Sequence, residues 1–285
     1  MRDTEQTTLA RPGAVDGAGL HTGAPARLAL RPAPAGAGIV FHRADLRHAD
    51  GSRFRGGPAP PARSSPGGRS RGAGADIPAR ADLGVEPRRG TMLSNAHGAS
   101  VMTVEHLLAA FALCGVDNAV VHLTGPEAPI LDGSAAPFIA LIEQCGLAGL
   151  GAPREIVEIV APIEVRAEDR FVRIEPDDER RLEVEIDFAE AAIGRQRVAL
   201  RLDRARDRLA GARTFCTLGE VEAMRAAGLA LGGSLDNALV VDGDRLLNED
   251  GLRDPSEFAL HKALDLVGDL ALVGAHLARG AHAQA

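Results

Sequence analysis

The sequence predicts an α+β fold, and three observations point there. Period-two strand patterns and period-3.6 helix patterns occur in both halves of the chain, so neither an all-helical nor an all-β layer fits. Strands come in runs with few helices among them, unlike the strict alternation of βαβ units. With 285 residues and 45% hydrophobic side chains, the chain has material for two cores.

Arg27-Leu-Ala-Leu alternates ahead of Arg31-Pro-Ala-Pro-Ala, and Gly38-Ile-Val-Phe-His follows a glycine-containing turn, so short strands are expected between residues 20 and 43. Residues 48–74 change character. Gly, Pro, Ser and Arg dominate there, and such a segment buries too little apolar surface to offset its ordering entropy, so a disordered insertion is expected. Its arginines suit RNA or an anionic surface, but with Phe54 as its lone aromatic residue a solvated loop is the better reading.

A helix is predicted from Thr103, which caps it. Val104, Leu107, Leu108 and Phe111 line one face, and Gly115 stops it. Asp117 to Leu123 reads as a strand and Pro129 to Ser134 as a turn; a second helix runs from near Ser134 to about Gly146, with Pro137 in its first turn. Residues 146–154 are rich in Gly and Ala, which places a boundary between an N-terminal domain (1–148) and a C-terminal one (155–285). Beyond it, residues 156–161, 171–175 and 182–188 alternate as antiparallel strands with one wet face. Residues 237–247 form a hairpin turning at Asp242-Gly243. Asp254-Pro-Ser-Glu starts a last helix, with Asp254 as cap and Glu257 at its third position, ahead of the run Phe258 to Gly274.

Composition excludes several classes. A net charge of -7 and the absence of Trp and Tyr argue against a nucleic-acid surface. Cys114, Cys145 and Cys216 are far apart with no CxxC, which supports neither a disulfide framework nor a cysteine zinc site. The longest apolar stretch, Phe258 to Ala278, is broken by His261, Lys262, Asp265 and Asp269, and the start of the chain lacks a signal-peptide core. A cytoplasmic protein is expected.

Chemistry concentrates in the last helix, where His261 and Asp265 stand one turn apart, and Asp269 extends the row beside the apolar stripe Leu260, Leu264, Val267 and Ala271. Alone, this pattern is equally a hydrogen-bonded surface pair. Glu105 and His106 open the earlier helix, where free N–H groups favour negative charge. Taken together, His106, His261 and Asp265 supply two imidazoles and one carboxylate, a set that suits zinc with one position open, and Glu105 is placed to act as base. Read without that pairing, Glu105 and His106 are simply helix-start residues. Thr214 is a candidate oxyanion donor and the glycines around Gly232 allow close approach of a ligand; a turn threonine and a flexible loop are the plainer reading of both. His21 reads as a loop histidine or a ligand.

Taken in order, Gly19-Leu-His-Thr-Gly, Thr103-Val-Glu-His-Leu, Pro129-Ile-Leu-Asp-Gly-Ser, Ala212-Arg-Thr-Phe, Leu231-Gly-Gly-Ser, Leu247-Asn-Glu-Asp-Gly-Leu-Arg and His261-Lys-Ala-Leu-Asp-Leu-Val-Gly-Asp-Leu resemble the UDP-3-O-acyl-N-acetylglucosamine deacetylase family of lipid A biosynthesis. The resemblance implies two similar two-layer α/β sandwiches with the active site between them. It implies a zinc amidase that removes acetate from a UDP-linked acylated glucosamine, with no nucleic-acid partner. By motif, His106, His261 and Asp265 correspond to zinc ligands, Glu105 to the base, Thr214 to the oxyanion donor and Lys262 to a substrate contact. Phe215, Gly232, Gly233 and Ser234 correspond to the wall of an acyl-chain passage. Asp269 corresponds to an aspartate that orients a proton-donating histidine. That histidine belongs to a Lys-Ser-Gly-His-like motif beyond the last helix, which the chain stops short of; neither His276 nor His282 stands in such a motif. The alternative expectation is therefore a truncated or inactive relative that binds zinc and a UDP-sugar.

Overall fold

The computed structural model describes residues 4–46, 74–85, 90–168, 170–277 and 281–284. Apart from Gly74, the expected insertion lies outside the described residues. The observed architecture is α+β, with one five-stranded sheet in each half of the chain.

In the first half, the strand order is Gly13–Ala18, Pro25–Pro32, Ala119–Leu123, Ile39–Arg43, Asp76–Pro78. Ile39–Arg43 runs parallel to Ala119–Leu123, and the other neighbours are antiparallel. Alternation decides the faces: Ala26, Leu28 and Leu30 turn inward while Pro25, Arg27 and Arg31 stay wet. Two helices follow, α1 (Glu105–Cys114) and α2 (Ala136–Cys145). Gly115, left-handed at φ 71°, ends α1 as expected. α2 lies against Gly13, where a Cβ would run into Leu141 and the Cys145 sulfur.

In the second half, the strand order is Ile163–Ala167, Arg170–Pro176, Ala281–Gln284, Arg181–Asp187, Arg195–Arg201. Leu182, Val184 and Ile186 face the core, as their spacing requires. Three further helices are α3 (Arg206–Ala210), α4 (Leu218–Ala226) and α5 (Glu257–Leu270). α5 lies on Arg181–Asp187 and Arg195–Arg201 with one face and on α1 with another. The two halves meet there, and Leu107, Leu108 and Phe111 of α1 share one continuous core with Phe258, Leu260 and Leu264 of α5. At Gly268 the contact is backbone on backbone, because a Cβ would overlap the Glu105 carbonyl oxygen.

Four expectations need correction. Thr103 does not cap α1: its φ is 57°, the helix starts two residues later, and its hydroxyl donates to the buried Glu127 carboxylate at 3.1 Å. The stretch at the expected boundary is a strand, Leu147–Pro153, because Glu5–Leu9 pairs with it across the first half. Strand 156–161 shrinks to Ile156–Val157, paired with His276–Leu277. α5 begins at Glu257, whose carboxylate is taken by Arg213 and does not close a capping box, and it ends at Leu270. The hairpin stands, as Leu239–Asp242 pairs with Arg245–Leu246 around Gly243. Among the described residues Cys114, Cys145 and Cys216 form no disulfide. Among the described residues no helix is long and apolar enough to cross a membrane.

Candidate metal centre and active site

α1 and α5 bring three ligand atoms together. His106 projects from the first turn of α1, while His261 and Asp265 lie one turn apart on α5. Asp265 Oδ1 sits 3.4 Å from His261 Nε2 and 3.6 Å from His106 Nε2. The ligand atoms all lie within 4.8 Å of one another, and the two imidazoles meet edge to face with centroids 5.0 Å apart.

The protonation states follow from the surroundings. His261 Nδ1 lies 3.0 Å from the Ala212 carbonyl, so that nitrogen carries the hydrogen and Nε2 presents a lone pair to the centre. Burial, then the neighbouring His261, pushes His106 down to about 3, and burial lowers His261 as well. Burial acts to raise the Asp265 carboxyl, but His261 and Lys262 outweigh it and hold the group below the usual carboxylate range. Two neutral imidazole nitrogens therefore face a carboxylate oxygen, and that oxygen is buried without a hydrogen-bond partner. Three electron-rich atoms gathered this closely in a largely buried cluster repel one another unless a cation lies among them. The donor set and its orphaned oxygen fit a divalent ion that accepts nitrogen and oxygen ligands.

Glu105 borders this centre. Burial, then the nearby Asp265, pushes its carboxyl up to about 8. The Thr91 backbone N–H donates to Oε2 at 3.0 Å. Lys262 donates to Asp265 Oδ2 at 2.9 Å and lies 5.4 Å above the Phe215 ring. Asp269 accepts the Thr91 hydroxyl at 2.6 Å and is not a ligand of the centre.

A cavity of about 370 Å³ opens over these groups. Its lining includes Glu105, His106, His261, Lys262 and Asp265 together with the apolar Leu218, Val221, Met224, Ala238, Val240 and Leu247. Thr214, Phe215, Gly233 and Ser234 also line it, as does His21. Gly232 is placed differently. It packs against the Gly19 carbonyl, where a Cβ would overlap the oxygen, and thereby joins the loop of Gly19 to Gly23 to the loop that carries Gly233. His276, whose Nε2 is 3.1 Å from an Arg180 guanidinium nitrogen, is not among the residues lining the cavity. The His282 side chain lies outside the described residues.

Several supporting residues carry no local sequence signal. Glu127, 1% exposed, accepts from the His21 N–H at 2.8 Å, the Thr22 N–H at 2.9 Å and the Thr22 hydroxyl at 2.7 Å, besides Thr103. One carboxylate thus holds both the pocket loop and the left-handed residue that leads into Glu105. Arg213 and Glu257 form a second brace: Arg213 Nε donates to Glu257 Oε1 at 2.8 Å, with side-chain exposures of 2% and 0%. This pair ties the start of α5 to the segment carrying the Ala212 carbonyl and Thr214. Replacing Arg213 with Met strands the Glu257 charge. Two backbone N–H groups, of Arg213 and Arg253, still reach that carboxylate, so urea unfolding should show a loss near the low end of the broken-pair range, about 3 kcal/mol.

Comparison with known proteins bears on this geometry. A family model described as UDP-3-O-acyl N-acetylglycosamine deacetylase matches residues 6–56 and 58–284. A UDP-3-O-acyl-N-acetylglucosamine deacetylase of Phenylobacterium zucineum is 44% identical over 272 residues, covering 95% of this chain and 85% of that protein. Similarly named proteins of Anaeromyxobacter sp. (44% over 275 residues, 94% of this chain and 80% of theirs) and Acidithiobacillus ferrooxidans (42% over 262 residues, 90% and 78%) align over nearly the same span.

Proposed function

Because the chain belongs to the UDP-3-O-acyl-N-acetylglucosamine deacetylase family, we propose that it is a zinc-dependent amidohydrolase that removes acetate from UDP-3-O-(3-hydroxyacyl)-N-acetylglucosamine. The observation that carries this reading is the orphaned Asp265 oxygen facing two imidazole nitrogens, in a cavity that apolar side chains also line. The reaction is a step of lipid A biosynthesis, and its nucleotide-sugar substrate belongs to the cytoplasm.

His106, His261 and Asp265 would hold the zinc ion. When bound, zinc supplies Lewis acidity towards the amide carbonyl and towards water. Glu105 takes the proton that water must lose before its oxygen attacks the acetyl carbon. Burial raises the Glu105 carboxyl, and a cation held beside it would favour the ionised form in which it accepts a proton. Thr214 donates its hydroxyl to the acetyl oxygen as charge develops there. Lys262 meets the charged part of the substrate, and the apolar part of the lining, with Phe215, Gly233 and Ser234, takes up the acyl chain. Two of the holding groups and the base belong to different halves of the chain, so docking of α1 on α5 assembles the reactive centre.

The test is acetate release from UDP-3-O-(3-hydroxyacyl)-N-acetylglucosamine by the zinc-loaded chain. Stoichiometric acetate and free amine are expected, with UDP-N-acetylglucosamine turned over far more slowly because it leaves the apolar lining uncovered. Absence of acetate at any zinc loading refutes the assignment.

A further inference from the structure

We infer that Thr91 is a positioning residue for the base: its hydroxyl, pinned on Asp269, keeps its backbone N–H aimed at Glu105. This rests on the deacetylase reading for the identity of the base, while the pinning stands on the contacts themselves. Thr91 is the one residue, among the described contacts, that touches both carboxylates. Its N–H donates to Glu105 Oε2 at 3.0 Å, and its hydroxyl donates to Asp269 Oδ1 at 2.6 Å.

The local backbone explains why an anchor is needed. Gly90, immediately before Thr91, has φ 71°, a conformation that glycine visits freely and leaves freely. A Cβ at residue 90 would stand 3.0 Å from Glu105 Oε1, so a glycine there also clears the space the carboxylate occupies. A donor carried by so pliable a turn wanders unless something fixes it, and Asp269 on α5 supplies that fixture. The hydroxyl spends its one hydrogen on Asp269. Glu105 accepts the Thr91 N–H at Oε2 and lines the cavity together with Gly90. Because α1 and α5 touch through backbone at Gly268, Asp269 stands one residue from the point where α5 meets Glu105.

Val and Ser at position 91 separate the hydroxyl from the shape. In zinc-loaded T91V the backbone donor survives but loses its fixture, so kcat should fall about tenfold, the cost of one misplaced charge-assisted hydrogen bond. KM and zinc content should stay within about twofold, since neither a substrate contact nor a ligand has changed. T91S restores the hydroxyl and should recover kcat. Amide hydrogen exchange at residue 91 reads the same bond without turnover: slow in the parent chain and in T91S, about tenfold or more faster in T91V. A T91V chain with parental kcat and parental exchange overturns the inference, as does a T91S chain as impaired as T91V. A parent chain that releases no acetate refutes the deacetylase reading instead, and the exchange measurement then decides the Thr91 bridge by itself.

Discussion

Glu105→Gln should lower acetate release by about 10²–10⁴-fold with no loss of bound zinc, the range expected when a general base is removed. The substitution is unusually clean at this position. Burial pushes the Glu105 carboxyl up to about 8, so near neutral pH the metal-free pocket already holds it mainly as the neutral acid. Glutamine has nearly the same shape as that acid, and its amide oxygen can still accept from the Thr91 N–H, so thermal unfolding of the metal-free variant should match the parent. His106, His261 and Asp265 are untouched, so zinc per chain should remain one. What disappears is the ability to take a proton. A Glu105→Gln chain within threefold of the parent rate would assign proton removal to another group.

Stripping the divalent ion should have an effect of comparable size or more. Several kcal/mol of charge stabilisation at the reacting carbonyl depend on it, and with tenfold in rate for each ~1.4 kcal/mol the loss should be about 10³-fold or more. Dialysis against a chelator followed by re-addition of zinc should abolish and then restore acetate release. The acid sensitivity of metal binding has a definite sign. An ordinary histidine competes for its ligand by protonation around pH 6.5, but His106 is pushed down to about 3 and His261 is lowered in the same direction. Protons therefore do not displace the ion through the usual histidine range, and zinc should remain bound at about pH 5. Loss of zinc with a midpoint near 6.5 would show that the imidazoles are far wetter than their packing implies. Full turnover in a chain shown to be metal-free would remove the metal from the reaction.

The parts of the site that a linear reading reaches are those written at helical spacing. His261 and Asp265 are one turn apart and Glu105 precedes His106 at a helix start, so these patterns mark candidate groups; their convergence came from the family resemblance and is met by the packing of α1 on α5. About half the strands of the two sheets were legible from alternation, as in Leu28 and Leu30 or Leu182, Val184 and Ile186, whereas Gly13–Ala18, Asp76–Pro78, Ile163–Ala167, Arg195–Arg201 and Ala281–Gln284 were not singled out. What escaped depends on partners far away in the chain. Thr103 has the composition of a helix cap, but Glu127 offers its hydroxyl a buried carboxylate, and a charge-assisted bond outcompetes the local one. Residues 147–153 have the composition of a linker and become a strand because Glu5–Leu9 supplies the other half of the ladder. Glu257 has the position of a capping glutamate and is drawn to Arg213. Thr91 carries no pattern at all, since its two partners lie on two different helices.

Where α5 crosses α1, the missing side chain at Gly268 makes the Glu105 main chain itself the stop against which the second helix rests. Side chains hop between rotamers, whereas a carbonyl locked in a helical ladder scarcely shifts, so the spacing between Glu105 and the His261 and Asp265 side chains is gauged by the least deformable surfaces the fold possesses. Tuning this catalyst by exchanging residues in the outer wall of its pocket would alter which molecules enter, and leave the working distance itself untouched.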